Sequence, residues 1–176
     1  DYPISLYAAT KKSNELMAYT YSHLYNIPTT GLRFFTVYGP WGRPDMAIYL
    51  FADAISNEKP IKVFNNGNMS RDFTYIDDIV NGIEILLANP PEKIAEKPAY
   101  RVSNIGNGNP QSLGDFIRAI EMSFDKEAKK ELLPIQAGDV PQTWADVSEM
   151  EKLGYQPITN IQEGVQKFVN WFKKYN

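Results

Sequence analysis

The sequence predicts an α/β fold, because helical and extended segments alternate along its 176 residues. Residues 5–26 have the apolar spacing of an amphipathic helix, whereas residues 29–37 (TTGLRFFTV) form an uninterrupted β-branched and aromatic run typical of a buried parallel strand. Hydrophobic residues make up 43% of the chain and aromatic residues 13%, which is enough for a sizeable core.

The elements of the first half are delimited by capping residues, glycine and proline. Ser5 or a neighbouring residue can cap a first helix that reaches about Asn26, with an apolar side of Leu16, Met17, Tyr21, Leu24 and Tyr25. Residues 38–44 contain two glycines and two prolines, so the strand at 29–37 must lead into a loop. There follow a helix over 46–57, a strand over 61–64, a turn over 65–68, an extended segment over 71–76 and a helix over 79–88.

The second half continues the alternation after a surface connection at 89–98, which holds three prolines and four charges. Ser112 caps a helix that reaches about Phe124, and Ser148 caps a brief helix that ends at Gly154. The other predicted elements are a strand over 100–105, a turn over 106–108, a charged link over 126–130, a strand over 131–134, a loop over 137–141, an extended piece over 143–146 and a last helix over 161–172.

Composition excludes several classes of function. The net charge is −3 and the pI is about 5.2, which argues against a nucleic-acid or anionic-membrane surface. The absence of cysteine excludes disulfides, a thiolate nucleophile and a cysteine-ligated metal. The single histidine, His23, is expected to be half-buried in the first helix, so no metal site is predicted. No apolar run reaches about 18 residues and no signal peptide is visible, so we expect a cytoplasmic protein.

Tyr7 and Lys11 are the first residues in the chain whose types and spacing suggest a catalytic role. They are four residues apart in the first helix, so their Cβ atoms share one face at roughly 6 Å. A free phenol, with a pKa of about 10, is a poor proton acceptor at neutral pH, but an ammonium one turn away favours the phenolate. Such a tyrosine can take a proton from a substrate hydroxyl while a hydride leaves the same carbon. The alternative is an ordinary amphipathic helix with a solvated lysine.

Further motifs follow this pair in a fixed order: residues 32–40 (LRFFTVYGP), 71–78 (RDFTYIDD) and 138–140 (GDV). Their order and spacing resemble the extended short-chain dehydrogenase/reductase family, specifically its nucleotide-sugar epimerases, over essentially the whole chain. Residues 38–47 (YGPWGRPDMA) resemble UDP-glucuronate 4-epimerases and related capsular-polysaccharide epimerases.

The resemblance implies the C-terminal part of a Rossmann-type parallel sheet joined to a small α/β substrate-binding domain. Residues 1–40 would be a remnant of the NAD-binding domain, and residues 41–176 mainly the nucleotide-sugar domain, with 76–105 returning to the Rossmann part. The family's Gly-rich turn and catalytic Ser/Thr would precede Asp1, which is not a methionine. We therefore expect a C-terminal fragment that binds NAD poorly and is inactive alone.

The resemblance also implies the residues that meet NAD. Tyr7 would be the catalytic base, and Lys11 would favour its phenolate and bind the nicotinamide ribose. The backbone around Phe34, Thr36 and Val37 would meet the nicotinamide and the sugar. Thr36 could also donate a hydroxyl hydrogen bond to the sugar.

The implied substrate residues lie later in the chain, and each has a plainer alternative. Lys62 and Phe64 would receive the uracil, although an aromatic residue in a short strand is usually core. Arg71 would bind the diphosphate bidentately, unless it pairs with Asp72 or Asp77. Asp139 would lie near the uridine ribose, or would simply be a turn residue.

Arg43 stands in the Gly/Pro loop beside the expected sugar pocket. Glucuronate carries a carboxylate that glucose lacks, and an arginine held by a rigid loop can bind it bidentately. The alternative is a salt bridge to Asp45, two residues further on.

We therefore predict an NAD-dependent nucleotide-sugar 4-epimerase of the UDP-glucuronate to UDP-galacturonate type, acting through a 4-keto sugar in polysaccharide biosynthesis. Its partners would be a UDP-sugar and, in the intact enzyme, a second copy of itself. The alternatives are a dehydratase or decarboxylase of the same family and a non-catalytic nucleotide-sugar-binding module. We also expect this chain to leave apolar surface uncovered and to associate.

Overall fold

The computed structural model describes residues 2–176, so the start of the chain at Asp1 lies outside the described part. Helices and strands alternate as the α/β prediction requires. In chain order the elements are α1 (Leu6–Tyr25), β1 (Thr29–Phe34), β2 (Thr36–Tyr38), α2 (Ala47–Ser56), β3 (Ile61–Val63), a 3-10 turn (Phe64–Gly67), β4 (Ser70–Arg71), β5 (Phe73–Tyr75), α3 (Ile76–Ala88), β6 (Tyr100–Ile105), β7 (Gln111–Ser112), α4 (Leu113–Phe124), β8 (Lys130–Leu132), α5 (Ser148–Glu151) and α6 (Ile161–Tyr175).

The described strands pair two by two. β1 pairs with β6, β2 with β5 and β3 with β8, all parallel, whereas β4 and β7 are antiparallel. Each parallel pair joins strands that are distant in the sequence, with at least one helix between them. The carboxyl ends of parallel strands meet at one edge of a sheet, which is where α/β proteins place their ligands.

Buried side chains form two separate cores. The large core packs α2, α4 and α6 around β3 and β5, with Phe73 stacked on Phe116 at a ring distance of 4.0 Å. The small core packs α3 and β6 against the segment 145–155, where Tyr155 is fully buried and donates its hydroxyl to the Gly106 carbonyl at 2.9 Å. β1 and β2 reach the small core through Leu32 and Val37.

The strand predicted over 29–37 is interrupted at Phe35. The Phe35 N–H donates to the Ile105 carbonyl at 3.3 Å, whereas the Thr36 N–H donates to the Asp72 carbonyl at 3.1 Å. The chain thus changes its pairing partner from β6 to β5 at this point, and the prediction of one continuous strand is wrong. The prediction of burial is also wrong, since none of residues 29–37 is buried and burial begins only at Tyr38, which follows the run.

Other element boundaries differ by a few residues. The extended segment predicted over 71–76 is broken between β4 and β5, and α3 begins at Ile76 rather than at 79. Residues 143–146 form no strand, and Ser148 is the first residue of α5 rather than its cap. Val147 is the N-cap residue of α5, and the Asp146 carboxylate before it accepts the Ser148 N–H at 3.1 Å.

α1 has the predicted bounds, and its apolar side is not covered by the rest of the chain. The Ser5 hydroxyl accepts the Ala8 N–H at 3.1 Å, and Asn26 ends the helix with a left-handed φ of 52°. Ser22 is the one buried residue of this helix. The apolar side is exposed to solvent, namely Leu16, Met17, Tyr21, Leu24 and Tyr25, and so is His23, contrary to expectation. No helix in the described part of the chain has the length and apolar character needed to cross a membrane.

Candidate functional site

Tyr7 and Lys11 lie together on the first turns of α1. The Lys11 Nζ is 5.5 Å from the centre of the Tyr7 ring, which is the shared face that their spacing predicts. The Ser5 cap fixes the first turn, and the Thr10 hydroxyl donates to the Tyr7 carbonyl at 2.8 Å. Tyr7 is 71% exposed, so its phenol is accessible to a ligand. The chain therefore presents a phenol and an ammonium side by side on an open surface.

Phe34, Thr36 and Val37 lie where the β1–β6 pair ends and the β2–β5 pair begins. Phe34 is the last residue of β1 and lies opposite Ile105, the last residue of β6. Thr36 and Val37 open β2 and are partly buried. The Phe34 side chain is exposed, so it can meet a ligand at this edge.

Arg71 and Asp139 form an ion pair across 68 residues of sequence. The Arg71 Nη2 donates to the Asp139 Oδ1 at 2.8 Å, and the Nη1 donates to the Ser70 carbonyl at 3.0 Å. The Arg71 side chain is only 16% exposed. The anticipated pairing of Arg71 with Asp72 or Asp77 does not occur, and the structure instead joins two residues that the sequence assigns to the nucleotide.

Arg43 pairs with Asp45, which is the plainer alternative considered for it. The Nε and Nη2 of Arg43 donate to the two carboxylate oxygens of Asp45 at 3.0 and 2.9 Å. Both side chains are largely exposed, at 73% and 67%. Exposed ion pairs contribute about 0–1 kcal/mol, so a ligand carboxylate can replace Asp45 at little cost.

Lys62 lies on β3, and Phe64 is the first residue of the 3-10 turn that follows it. The Lys62 side chain is exposed on β3. Phe64 opens the 3-10 turn and is partly buried against the large core, so the strand predicted to include it ends one residue earlier. Asn65 and Asn66 have left-handed φ values of 50° and 51°, which end the strand. Within the described chain, no side-chain hydrogen bond or ion pair joins Lys62 or Phe64 to Arg71 or Asp139.

Asp72 is the main residue that the sequence did not single out. Its fully buried carboxylate accepts N–H groups of Asn107 at 2.6 Å, Gly108 at 2.9 Å and Ala145 at 3.0 Å, and the Thr74 hydroxyl at 3.1 Å. It therefore ties the turn after β6 and the segment at 145 to the strand that carries Arg71. The three N–H partners are 35 to 73 residues away in sequence, so no local pattern predicts them.

Gly106 and Asp78 make further close contacts between the 71–78 motif and the second half of the chain. A Cβ atom on Gly106 would lie 2.4 Å from the Ala145 Cβ and 3.1 Å from the Asp72 Oδ1, so the close approach requires glycine. The buried Asp78 carboxylate accepts the N–H groups of Ile158 and Thr159 at 3.2 and 3.1 Å. Asp72 and Asp78 of the 71–78 motif thus anchor three segments of the second half.

The buried tyrosines of this region are poor candidates for a base. Burial raises the pKa of Tyr38 above its ordinary value, and the nearby Asp78 carboxylate raises it further. Burial likewise raises the pKa of Tyr155, with Asp78 and Asp72 adding to the effect. Both phenols therefore stay protonated at physiological pH, where a base must lose its proton.

Comparison with known proteins places this geometry in a family. Residues 1–106 match the NAD dependent epimerase/dehydratase family. Protein CapI of Staphylococcus aureus is 54% identical over 187 residues, covering 99% of this chain and 56% of that protein. A probable UDP-glucuronate 4-epimerase of Rhizobium meliloti is 49% identical over 185 residues, covering 98% of this chain and 54% of that protein.

A solved structure of an epimerase is also similar to this chain. The UDP-glucuronic acid 4-epimerase of Bacillus cereus in complex with UDP-glucuronic acid and NAD superposes with a TM-score of 0.88 at 35% identity, over 99% of this chain and 55% of that one. The chain thus spans about half the length of the curated relatives it matches. Motif order, parallel strand pairs and these comparisons agree that the chain belongs to the NAD dependent epimerase/dehydratase family.

Proposed function

We propose that the protein containing this chain is an NAD-dependent UDP-glucuronate 4-epimerase that forms UDP-galacturonate. The observation that carries the proposal is the Lys11 ammonium 5.5 Å from the Tyr7 ring on an exposed helix face. Relatives named as UDP-glucuronate 4-epimerases, and a structure solved with UDP-glucuronic acid and NAD, support it. Residues 1–40 and 76–105 would belong to the NAD-binding part and the remaining residues mainly to the sugar-binding part.

The residues of α1 fit the nicotinamide ribose. An exposed ammonium 5.5 Å from the ring of an exposed tyrosine offers donors to ribose hydroxyls. The chemistry that NAD supplies when bound is removal of a hydride from the sugar and its return. Tyr7 would take the proton of the sugar 4-hydroxyl as the 4-keto sugar forms. It would return the proton after the sugar has rotated in the pocket.

Arg71 and Asp139 would hold the nucleotide. The buried guanidinium suits a diphosphate, and Asp139 can exchange its ion pair for a hydrogen bond from a ribose hydroxyl. Lys62 and Phe64 would reach the uracil. Arg43 would leave Asp45 for the sugar carboxylate, with Thr36 adding a hydroxyl hydrogen bond.

Product analysis tests the proposal in the protein expressed from its complete coding sequence. With UDP-glucuronate and NAD we expect UDP-galacturonate, and Tyr7→Phe should lower kcat by about 10²–10⁴-fold while it leaves substrate binding largely intact. Loss of CO2 or water from the sugar would indicate a decarboxylase or dehydratase. Binding without turnover in the wild type would indicate a binding module. The homodimer, the cytoplasmic location and the role in polysaccharide biosynthesis stay predictions.

A further inference from the structure

Trp41 has an unusual conformation in the loop that carries Arg43. It has a left-handed φ of 62°, which a bulky side chain rarely adopts, and it is 74% exposed. An exposed tryptophan in a disfavoured backbone region must be held by something outside the loop. Such strain is often found beside functional groups.

The C-terminal helix holds this tryptophan. The Trp41 ring lies 5.3 Å from the Trp171 ring and 5.0 Å from the Tyr175 ring, and the last two are 5.8 Å apart. We refer to Trp41, Trp171 and Tyr175 as the aromatic clamp. Tilted aromatic pairs at these distances are favourable contacts.

The two clamp residues on α6, Trp171 and Tyr175, belong to a helix that is anchored to the large core. Phe168 and Phe172 of α6 are buried in the large core, and Phe168 contacts Trp171 at a ring distance of 5.6 Å. The end of α6 is also tied to α2, because the Tyr49 hydroxyl donates to the Asn176 Oδ1 at 2.7 Å. Trp41 therefore contacts the helix whose buried face packs into the large core.

The loop has only a few other fixed points. The Gly42 N–H donates to the Gly39 carbonyl at 3.3 Å, and the Met46 N–H donates to the Arg43 carbonyl at 3.2 Å. Gly39 has a φ of 149°, and a Cβ there would lie 2.5 Å from the Ile76 side chain, so the first end is closely packed. Between these points, Trp41 is the contact that fixes the path of the chain toward Arg43.

We propose that the aromatic clamp is a positioning device that holds Arg43 where it can read the carboxylate of the substrate sugar. This inference rests on the proposed function, since it assigns the clamp to the preference for UDP-glucuronate over UDP-glucose. The residues of the clamp act through Arg43 and touch no reacting atom. Loosening the clamp should therefore reduce the preference for the acid while it leaves binding of the neutral sugar nucleotide in place.

The buried N–H of Trp171 provides a conservative variant. Its Nε1 is buried with no hydrogen-bond partner among the described residues, so Trp171 contributes its ring rather than its polar atom. Trp171→Phe removes the unpaired N–H and keeps an aromatic ring against Trp41. Tyr175→Phe likewise keeps the ring at the other position.

Calorimetry on the protein expressed from its complete coding sequence, with NAD present, tests the inference. The dissociation constants of UDP-glucuronate and UDP-glucose give the preference. We expect Trp41→Ala, Trp41→Gly and Tyr175→Leu each to reduce it by about tenfold, the equivalent of about 1.4 kcal/mol, with UDP-glucose affinity changed by less than about threefold. Trp41→Gly suits the left-handed backbone, so it also guards against a failure to fold. Trp171→Phe and Tyr175→Phe should keep most of the preference.

The outcomes separate the inference from the function on which it rests. A wild-type preference that survives in Tyr175→Leu overturns the clamp alone. The clamp is also overturned if the Trp41 variants lose the preference for UDP-glucuronate and Tyr175→Leu keeps it, because Trp41 would then act without α6. A wild-type protein with no preference for the acid overturns the proposed substrate, and the clamp falls with it.

Discussion

The helices near the two ends of the chain use their apolar residues in opposite ways. α6 turns Val165, Phe168, Val169 and Phe172 into the large core and its charged residues toward water. α1 is longer, yet it buries only Ser22, and the five residues predicted to form its apolar side remain 56–62% exposed. The same helical spacing of apolar residues therefore has two outcomes in one molecule.

The contacts of α1 explain how it stays in place. Glu15 forms a bidentate ion pair with Arg33 at 2.6 and 2.8 Å, and the Tyr100 hydroxyl donates to the Glu15 carbonyl at 3.0 Å. The Ser22 hydroxyl donates to the Ala99 carbonyl at 3.1 Å. α6 is thus held by burial of apolar surface, whereas α1 is held largely by polar contacts to β1, β6 and the residue before β6. An apolar helix face identifies a surface to be covered, but not what covers it.

The largest expected contrast is between matched aromatic deletions in the two helices. Phe168→Ala removes a fully buried ring and should lower the free energy of unfolding by about 3–5 kcal/mol. Tyr21→Ala, at a site that is 61% exposed, should change it by less than about 0.5 kcal/mol. Urea unfolding followed by circular dichroism measures both. Equal losses would show that α1 buries its apolar side after all.

An acid titration should loosen α1 before α6. The hydrogen bond to Arg33, with a further contribution from Lys12, lowers the pKa of Glu15 from 4.5 to about 2. Because the folded pKa is the lower one, the pair stabilises the fold above about pH 4.5, and this stability is lost as the pH falls toward 2. After allowance for solvent screening we expect a loss of about 1–2 kcal/mol.

Glu15→Gln is the matched control for that titration. The variant should be less stable than the wild type at pH 7, and the difference in the free energy of unfolding should shrink between about pH 4.5 and pH 2. A difference that stays constant across this range would mean that the ion pair does not contribute to stability.

Substitutions on the exposed side of α1 should have the smallest effect on stability. They should have a measurable effect on self-association. Met17→Gln combined with Leu24→Gln should leave the unfolding curve almost unchanged and should reduce self-association of the 20.0 kDa chain in size-exclusion chromatography. His23→Gln, also exposed on α1, is the control that should associate like the wild type. Elution of the wild type as a clean monomer would contradict the expectation.

Local signals in the sequence were enough for many boundaries. Ser5 and Ser112 cap their helices as predicted, because an N-cap depends on a side chain and an N–H three residues away. The strand over 100–105 is confirmed. The Tyr7–Lys11 contact follows from helical geometry alone.

The features that sequence reasoning missed depend on distant partners. The interruption of the strand at Phe35 occurs because Thr36 bonds to Asp72 instead of following β6. The acceptor role of Asp72 likewise depends on Asn107 and Ala145 arriving from elsewhere. The apolar spacing of α1 does not by itself tell whether that side is buried, since burial depends on which surface the rest of the protein presents.

The most direct test of the proposed function is calorimetric binding of UDP-glucuronate and UDP-glucose to the wild type and to Arg43→Ala. We expect the wild type to prefer the acid and Arg43→Ala to lose about 10- to 100-fold in affinity for it, as removal of a charge-assisted hydrogen bond implies. Affinity for UDP-glucose should change little. A preference for UDP-glucuronate that persists in Arg43→Ala would contradict the assignment of Arg43 to the sugar carboxylate.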